Sequence, residues 1–318
     1  MDTILHALSQ SGALRFTAIS GKELVEEARR IHNLSRVCTA ALGRQLLVTA
    51  IMAAGLKAET DSLTTIIKGD GPAGSLVCTG RYGALVKGYI ANPEVELPLT
   101  PNGKLDVGAA VGRRGKLTVI RDLSLREPYV GECNLISGEI AEDFAQYYTA
   151  SEQTPSLVYL GVRMRPDTGE VLAAGGLVAQ PLPDCPDEEI DLLQNQAQEI
   201  ANLTRYLEQG LSLDAALQKA LGDQLPITVA GTAMPSWSCD CSRSRTERAL
   251  IALGRDELTD MIQQDGGAEL LCHFCNKKYV FSADDLSALL QESSGSTIDE
   301  ETLDAKREDQ NQSENHPL

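Results

Sequence analysis

Rings are scarce in this chain: aromatic residues make up 4% of its 318 positions, with one Trp, eight Tyr and four Phe. Single-stranded nucleic acids are gripped by stacking on such rings, so their scarcity counts against that class of partner. A basic block is missing too. The formal charge is −17, and no stretch concentrates Lys and Arg in the way that displacing counterions from a phosphate backbone requires. The same lack counts against an anionic membrane surface. The opening residues, MDTILHALSQSG, have no basic segment leading into an apolar one, and no later stretch runs eighteen apolar residues without interruption. These absences lead us to expect a soluble, cytoplasmic protein that binds neither nucleic acid nor membrane. Histidine is sparse as well. Only His6 and His32 offer bases in the first two hundred residues, and no nucleophile motif accompanies either, so no catalytic residue is assigned and an enzyme is not expected.

What is present is enough for one large domain and a smaller one. Apolar residues make up 42%, and with so few rings the core must be filled by Leu, Ile, Val and Ala. The negative charge is uneven: residues 282–318 hold ten acidic and two basic side chains, −8 of the total.

The expected fold class is α+β. LRFTAIS at 14–20 reads as a strand, and GKELVEEARRIH as a helix with acids early and bases late. The segment 35–57 is rich in Ala and Leu on nearly every face, as a buried central helix would be. Runs at 63–68, 75–79 and 84–91, punctuated by GDGPAG and GRYG, predict an antiparallel meander; a further pair of strands, 104–107 and 116–121, flanks GAAVGRRG. Glu139, Glu142 and Asp143 suit a helix start, and that helix should end near Ala150. Strands at 157–164 and 171–179 close the domain.

Composition changes at PLPDCPDEE, 181–189. Beyond it Ile190, Leu193, Ala197, Ile200, Thr204 and Leu207 recur at helical spacing before Gly210, and Ser212 can cap a second helix ending at Gly222. Helices this short are marginal alone in water and need a surface to cover. The predicted organisation is thus an antiparallel-sheet and helix domain at 1–180, a helical linker at 181–231, a small C-terminal zinc-binding module at 232–290 and an acidic, disordered tail at 291–318.

The chemistry lies in the cysteines. Of eight, four form two close pairs, Cys239-Asp240-Cys241 and Cys272-His273-Phe274-Cys275. Four thiolates brought together suit one tetrahedral Zn2+. His273 could replace a cysteine, but with four thiolates present it is left outside the ligand set. Two uses stay open. Zinc can simply staple a module too small to hold itself together. Alternatively the site is a redox switch, since each pair is close enough for an intrapair disulfide and Arg243, Arg245, Arg248, Lys277 and Lys278 nearby would favour thiolate. Trp237, just before Cys239, is expected to pack on the zinc module. Cys38, Cys78 and Cys133 fall in segments read as buried, whereas Cys185 has a Pro- and Asp-rich setting whose negative charge would blunt its reactivity. Neither GDGPAG nor GAAVGRRG has a phosphate-loop pattern, and turns explain both.

Longer stretches carry a resemblance: LGRQLLVTAIMAAGLK, KGDGPAG, VKGYIANP, EPYVG, SGEIAEDFAQYYTASEQTPS, and CDCSRSRTERAL with CHFCNKKYVFS. In this order they resemble the 33-kDa chaperonins, redox-regulated holdase heat-shock proteins, over about residues 14–290. The resemblance implies that Cys239, Cys241, Cys272 and Cys275 hold zinc in a reduced, inactive state. Oxidative stress would then form Cys239–Cys241 and Cys272–Cys275 disulfides, release zinc, and unfold the module with its linker. The activated chain would be a homodimer that binds unfolding or oxidatively damaged client proteins without ATP and keeps them from aggregating.

Overall fold

The computed structural model describes residues 1–291, which part into two compact units, one ending at Cys239 and one beginning at Asp240. The expected acidic tail, from 292 on, lies outside the described residues. In the first unit the elements run β1 (Thr3–Ser9), β2 (Leu14–Ser20), α1 (Lys22–His32), α2 (Arg36–Ala53), β3 (Ser62–Gly69), β4 (Ser75–Arg81), β5 (Leu85–Ile90), α3 (Val107–Val111), β6 (Gly115–Asp122), β7 (Tyr129–Asn134), α4 (Ala141–Ala150), β8 (Leu157–Met164), β9 (Val171–Pro181), α5 (Asp187–Asn195), α6 (Ala197–Ile200), α7 (Leu203–Glu208), α8 (Leu213–Leu221), β10 (Ile227–Ala233) and β11 (Ser236–Trp237). The fold is α+β, as expected.

Two sheets enclose helix α2. One has the order β10-β1-β2-β9-β8 and is antiparallel throughout; the other has the order β11-β5-β4-β3-β6-β7, with β11 alone joining in parallel. Helix α2 packs on β3, β4 and β5 of one sheet and on β2, β8 and β9 of the other. Sixteen of its eighteen residues are buried, Arg36 and Arg44 being the exceptions. By length and composition it could cross a membrane, yet its apolar surface is spent on the two sheets. The donors it brings inward are bonded, while the buried Gln45 Oε1 accepts nothing: Gln45 Nε2 donates to Thr65 O and Thr65 Oγ1, each at 3.0 Å, and the Thr49 and Thr65 hydroxyls meet at 2.9 Å. A buried donor left unpaired would cost about 1–3 kcal/mol, so these bonds are what makes the positions tolerable. Ser35 starts the helix by accepting from Cys38 N at 3.3 Å.

The linker segment forms a second core on the opposite face of the five-stranded sheet. Leu193, Ile200, Leu203, Tyr206, Leu217 and Leu221 are buried against Leu5, Leu14, Phe16, Leu177 and Ala179. In place of the single helix expected before Gly210 there are three, α5, α6 and α7, because the chain bends at Gln196 and Asn202, where ψ is near 0°. The bends lay one apolar stripe along a twisted surface. Helix α8 begins and ends where expected, although the Ser212 hydroxyl makes no cap bond.

Residues 104–107 correct the expectation of a strand. Asp106 instead caps α3, its carboxylate accepting from Ala109 N at 2.9 Å, and Gly112, at φ 92°, ends that helix. Strands β1, β7, β10 and β11 were not foreseen.

The second unit holds α9 (Arg243–Leu253), α10 (Arg255–Asp260), a π-turn at Met261–Asp265, the hairpin β12 (Gly267–Leu271) and β13 (Lys278–Ser282), and a helical stretch at 283–291. Among the described residues its core has only six buried members: Leu250, Leu258, Tyr279, Phe281, Leu286 and Leu289. A core this small is below what normally stabilises an independent domain without a covalent or metal staple.

Candidate metal centre

Cys272 and Cys275 sit at the tip of the β12–β13 hairpin. Cys275 N and Asn276 N both donate to Cys272 O, at 3.3 and 2.8 Å, and Asn276 takes a left-handed backbone, φ 56°, closing the turn. Cys272 N donates to Lys277 O at 3.0 Å, which ties the two strands below the turn. The tight loop aims both side chains to one side. The other pair precedes α9, whose first turn is fixed by Ser242 Oγ accepting from Arg245 N at 3.2 Å.

The sulfurs of Cys239, Cys241, Cys272 and Cys275 all lie within 4.8 Å of one another, and each residue is half-buried. Four sulfurs about 2.3 Å from a tetrahedral zinc are about 3.8 Å apart, so the group fits such an ion. The four side chains supply soft thiolate donors and no carboxylate among the gathered atoms, which favours zinc over a hard cation. Cys241 Sγ and Cys275 Sγ are 3.4 Å apart, and no disulfide joins the cysteines.

Tyr279, passed over in the sequence, donates its hydroxyl to Cys241 Sγ at 3.1 Å. The alternation of KKYVFS is the signal that turns it inward with Phe281. Its phenol is pushed up to about 12, first by that hydrogen bond and then by burial and the neighbouring sulfurs, so it stays a donor at neutral pH.

Three of the flanking cations are held in ion pairs. Arg243 pairs with Asp285 at 3.1 Å and Glu247 at 3.2 Å and lies over the Phe281 ring; Arg245 pairs with Asp240; Lys278 pairs with Glu269 at 2.6 Å. Their charge is answered by carboxylates. Trp237 differs from expectation. It pairs through β11 with Val86 and meets the His32 ring edge-on at 6.0 Å, both in the first unit, because two residues of strand suffice to hold the indole there.

The remaining cysteines lie apart from this group. Cys38, Cys78 and Cys133 are buried, and burial pushes each thiol up, that of Cys133 to about 11 with Asp143 adding to it. Cys185 is raised first by burial, then by Glu189 and Asp187. Glu139 is not part of a helix: its carboxylate pairs with Arg44 at 2.6 Å and accepts from Gly108 N at 3.1 Å. Glu142 and Asp143 do lie in the first turn of α4. The glycine loops spend amides within the protein, Gly71 N on Val111 O at 3.0 Å, Ala73 N on Ala110 O at 2.9 Å and Gly108 N on the Glu139 carboxylate, so these are not turned toward a phosphate.

Comparison with known proteins places the chain in a family. The family profile described as Hsp33 protein matches residues 2–282. A 33 kDa chaperonin of Clostridioides difficile (strain 630) is 45% identical over 291 residues, covering 92% of this chain and 99% of its own. One from Clostridium perfringens is 41% identical over 314 residues, 98% of each chain. The crystal structure of the 33 kDa chaperonin (heat shock protein 33 homolog) of Thermotoga maritima superposes with a TM-score of 0.83 at 36% identity, covering 92% of this chain and 99% of that one. The chain belongs to the Hsp33 family of chaperones.

Proposed function

We propose that this chaperone is an ATP-independent holdase switched on by oxidation of its four-cysteine centre. The observation that carries this reading is the gathering of four thiols within 4.8 Å, three of them in a unit whose described residues include six buried core side chains. Cys239, Cys241, Cys272 and Cys275 hold one Zn2+ in the reduced, inactive state. The ion, when bound, supplies the cross-link that so small a core lacks; structural zinc contributes on the order of 10 kcal/mol to modules of this kind. Peroxide converts two thiols to one disulfide and two waters, and repetition gives Cys239–Cys241 and Cys272–Cys275. The ligand set is then gone, and residues 232–290 lose their fold.

Residues 181–231 are the linker whose release matters for clients. Their helices cover Leu14, Phe16 and Leu177 on the sheet, and parting them exposes two complementary apolar surfaces at once. Unfolding and oxidatively damaged proteins bind there, on a core domain at 1–180 that forms a homodimer when active, as the resemblance to the 33-kDa chaperonins implies. The site is cytoplasmic, with neither nucleic acid nor membrane as partner, in keeping with the charge of −17.

A second reading is favoured by the same small core: zinc as a permanent staple of an interaction module. Titrating the zinc-loaded chain with peroxide at raised temperature separates the two. Zinc release read with a chromophoric chelator and suppression of client aggregation read by light scattering should rise together and reverse with a thiol reductant. Zinc that stays bound, or leaves without protection of clients, would discard the switch and retain the staple.

A further inference from the structure

Tyr279 has no part in the ligand set, yet its hydroxyl touches one of the ligands. The O–H donates to Cys241 Sγ at 3.1 Å. The ring is 7% exposed and packs in the core of the second unit with Phe281 and Leu286. Strand β13 fixes this orientation, since Tyr279 and Phe281 face inward while Lys278, Val280 and Ser282 face out, and Leu270 sits opposite on β12. The Lys277 ammonium stands 5.3 Å from the ring centroid and polarises the ring that carries the donor. A rigid strand, a buried ring and a neighbouring cation thus aim one proton at one sulfur.

We propose that Tyr279 is a positioning residue that sets the oxidant threshold of the centre by restraining Cys241. The inference rests on the redox reading above. In the reaction a thiolate lone pair attacks one peroxide oxygen, the O–O bond breaks, and hydroxide leaves, giving a sulfenic acid. A second thiol attacks that sulfur and expels water, so two thiols and one peroxide give one disulfide and two waters after proton uptake. The lone pair that accepts from Tyr279 is less available for the first step. The same bond orients the sulfur, as partners of metal ligands commonly do, and their loss typically weakens metal binding by 10- to 100-fold.

The test is the full chain carrying Tyr279→Phe, which keeps the ring and deletes the donor. Against the unaltered protein, the peroxide dose for half-release of zinc should fall at least threefold, and chelator competition should show weaker zinc binding by about tenfold. Loaded with cobalt(II) in place of zinc, the variant should shift the thiolate-to-metal charge-transfer band, which packing of the ring alone would not move. Placing 3-fluorotyrosine at 279 makes a stronger donor of the same shape and should raise the peroxide dose, the opposite direction. An unchanged dose in both variants with an unmoved cobalt band overturns the role of Tyr279 while leaving the switch intact. Should the unaltered protein keep its zinc under peroxide, the switch fails and this inference with it.

Discussion

At Glu26 a single carboxylate ties α1 to β9: it accepts from Val171 N at 3.1 Å and pairs with Arg29 at 2.7 Å and Arg30 at 3.3 Å. The hydrogen bond from Arg29, chiefly, holds its carboxyl below the ordinary glutamate value against the opposing effect of burial. A depressed folded value means the contribution is complete above about pH 4.3, where the unfolded group ionises, and fades as pH falls through the folded value. Glu26→Gln should therefore lower stability by roughly 1–3 kcal/mol at pH 7, and thermal melts should show the gap from the unaltered protein closing toward pH 3. Asp143 is the other anchor. Fully buried, it accepts from Ile136 N at 2.8 Å, Ser137 N at 3.1 Å and Ile140 N at 3.1 Å, holding the turn ahead of α4. Asp143→Ala leaves those donors unpaired, and denaturant titration should record a loss of about 3 kcal/mol or more.

Residue by residue, the four cysteines that the structure gathers within 4.8 Å could be singled out from spacing, because two close pairs of one soft donor type have few other uses. Their surroundings could not. That Arg243 and Arg245 face Asp285 and Asp240, and that Tyr279 reaches Cys241, depends on which strand and helix faces meet, which no local spacing encodes.

Among the elements, the linker helices are where packing and function meet. Leu217 on α8 and Leu203 on α7 are fully buried against the sheet. Leu217→Ala should cost about 2–5 kcal/mol locally. Hydrogen exchange should quicken across 187–221 while β3 to β7 stay protected, and under the proposed switch the variant should hold clients at a lower peroxide dose. Elements with a strong local signal were legible: α1 from its charge order, α2 from Ala and Leu on nearly every face, α4 from the acids at its start, and the meander β3 to β5 from its turns. Strand β1 was not, because TILHALS buries side chains on both faces and shows no clean alternation. Strand β7 carries Gly131 and exposed Tyr129 and Val130, so composition hides it. The strand expected at 104–107 failed because the Asp106 carboxylate offers the backbone a helical start instead.

At the scale of the whole molecule, the pairing of sheets was beyond local pattern. Strand β1 pairs with β10, and β2 with β9, across most of the first unit. The two units should respond differently to metal removal. With chelator and reductant present, exchange should rise throughout 240–291 and the sheets of the first unit should keep their protection; zinc restored in excess should reverse it.

The linker's place between β9 and β10 has a further consequence. About 45 residues separate these strands, and both are strands of one sheet, set three positions apart or about 14 Å. Under the proposed switch, melting confined to 182–226 leaves a bight fastened at both ends by β9 and β10, whereas loss of β10 along with the zinc module frees one end. Closing so long a loop costs about 3 kcal/mol of chain entropy, already met by the standing sheet. With both anchors kept, the proposed switch would hold a client bound along the bight against the body of the chaperone, and the helices would need no distant search to re-form when reductant returns.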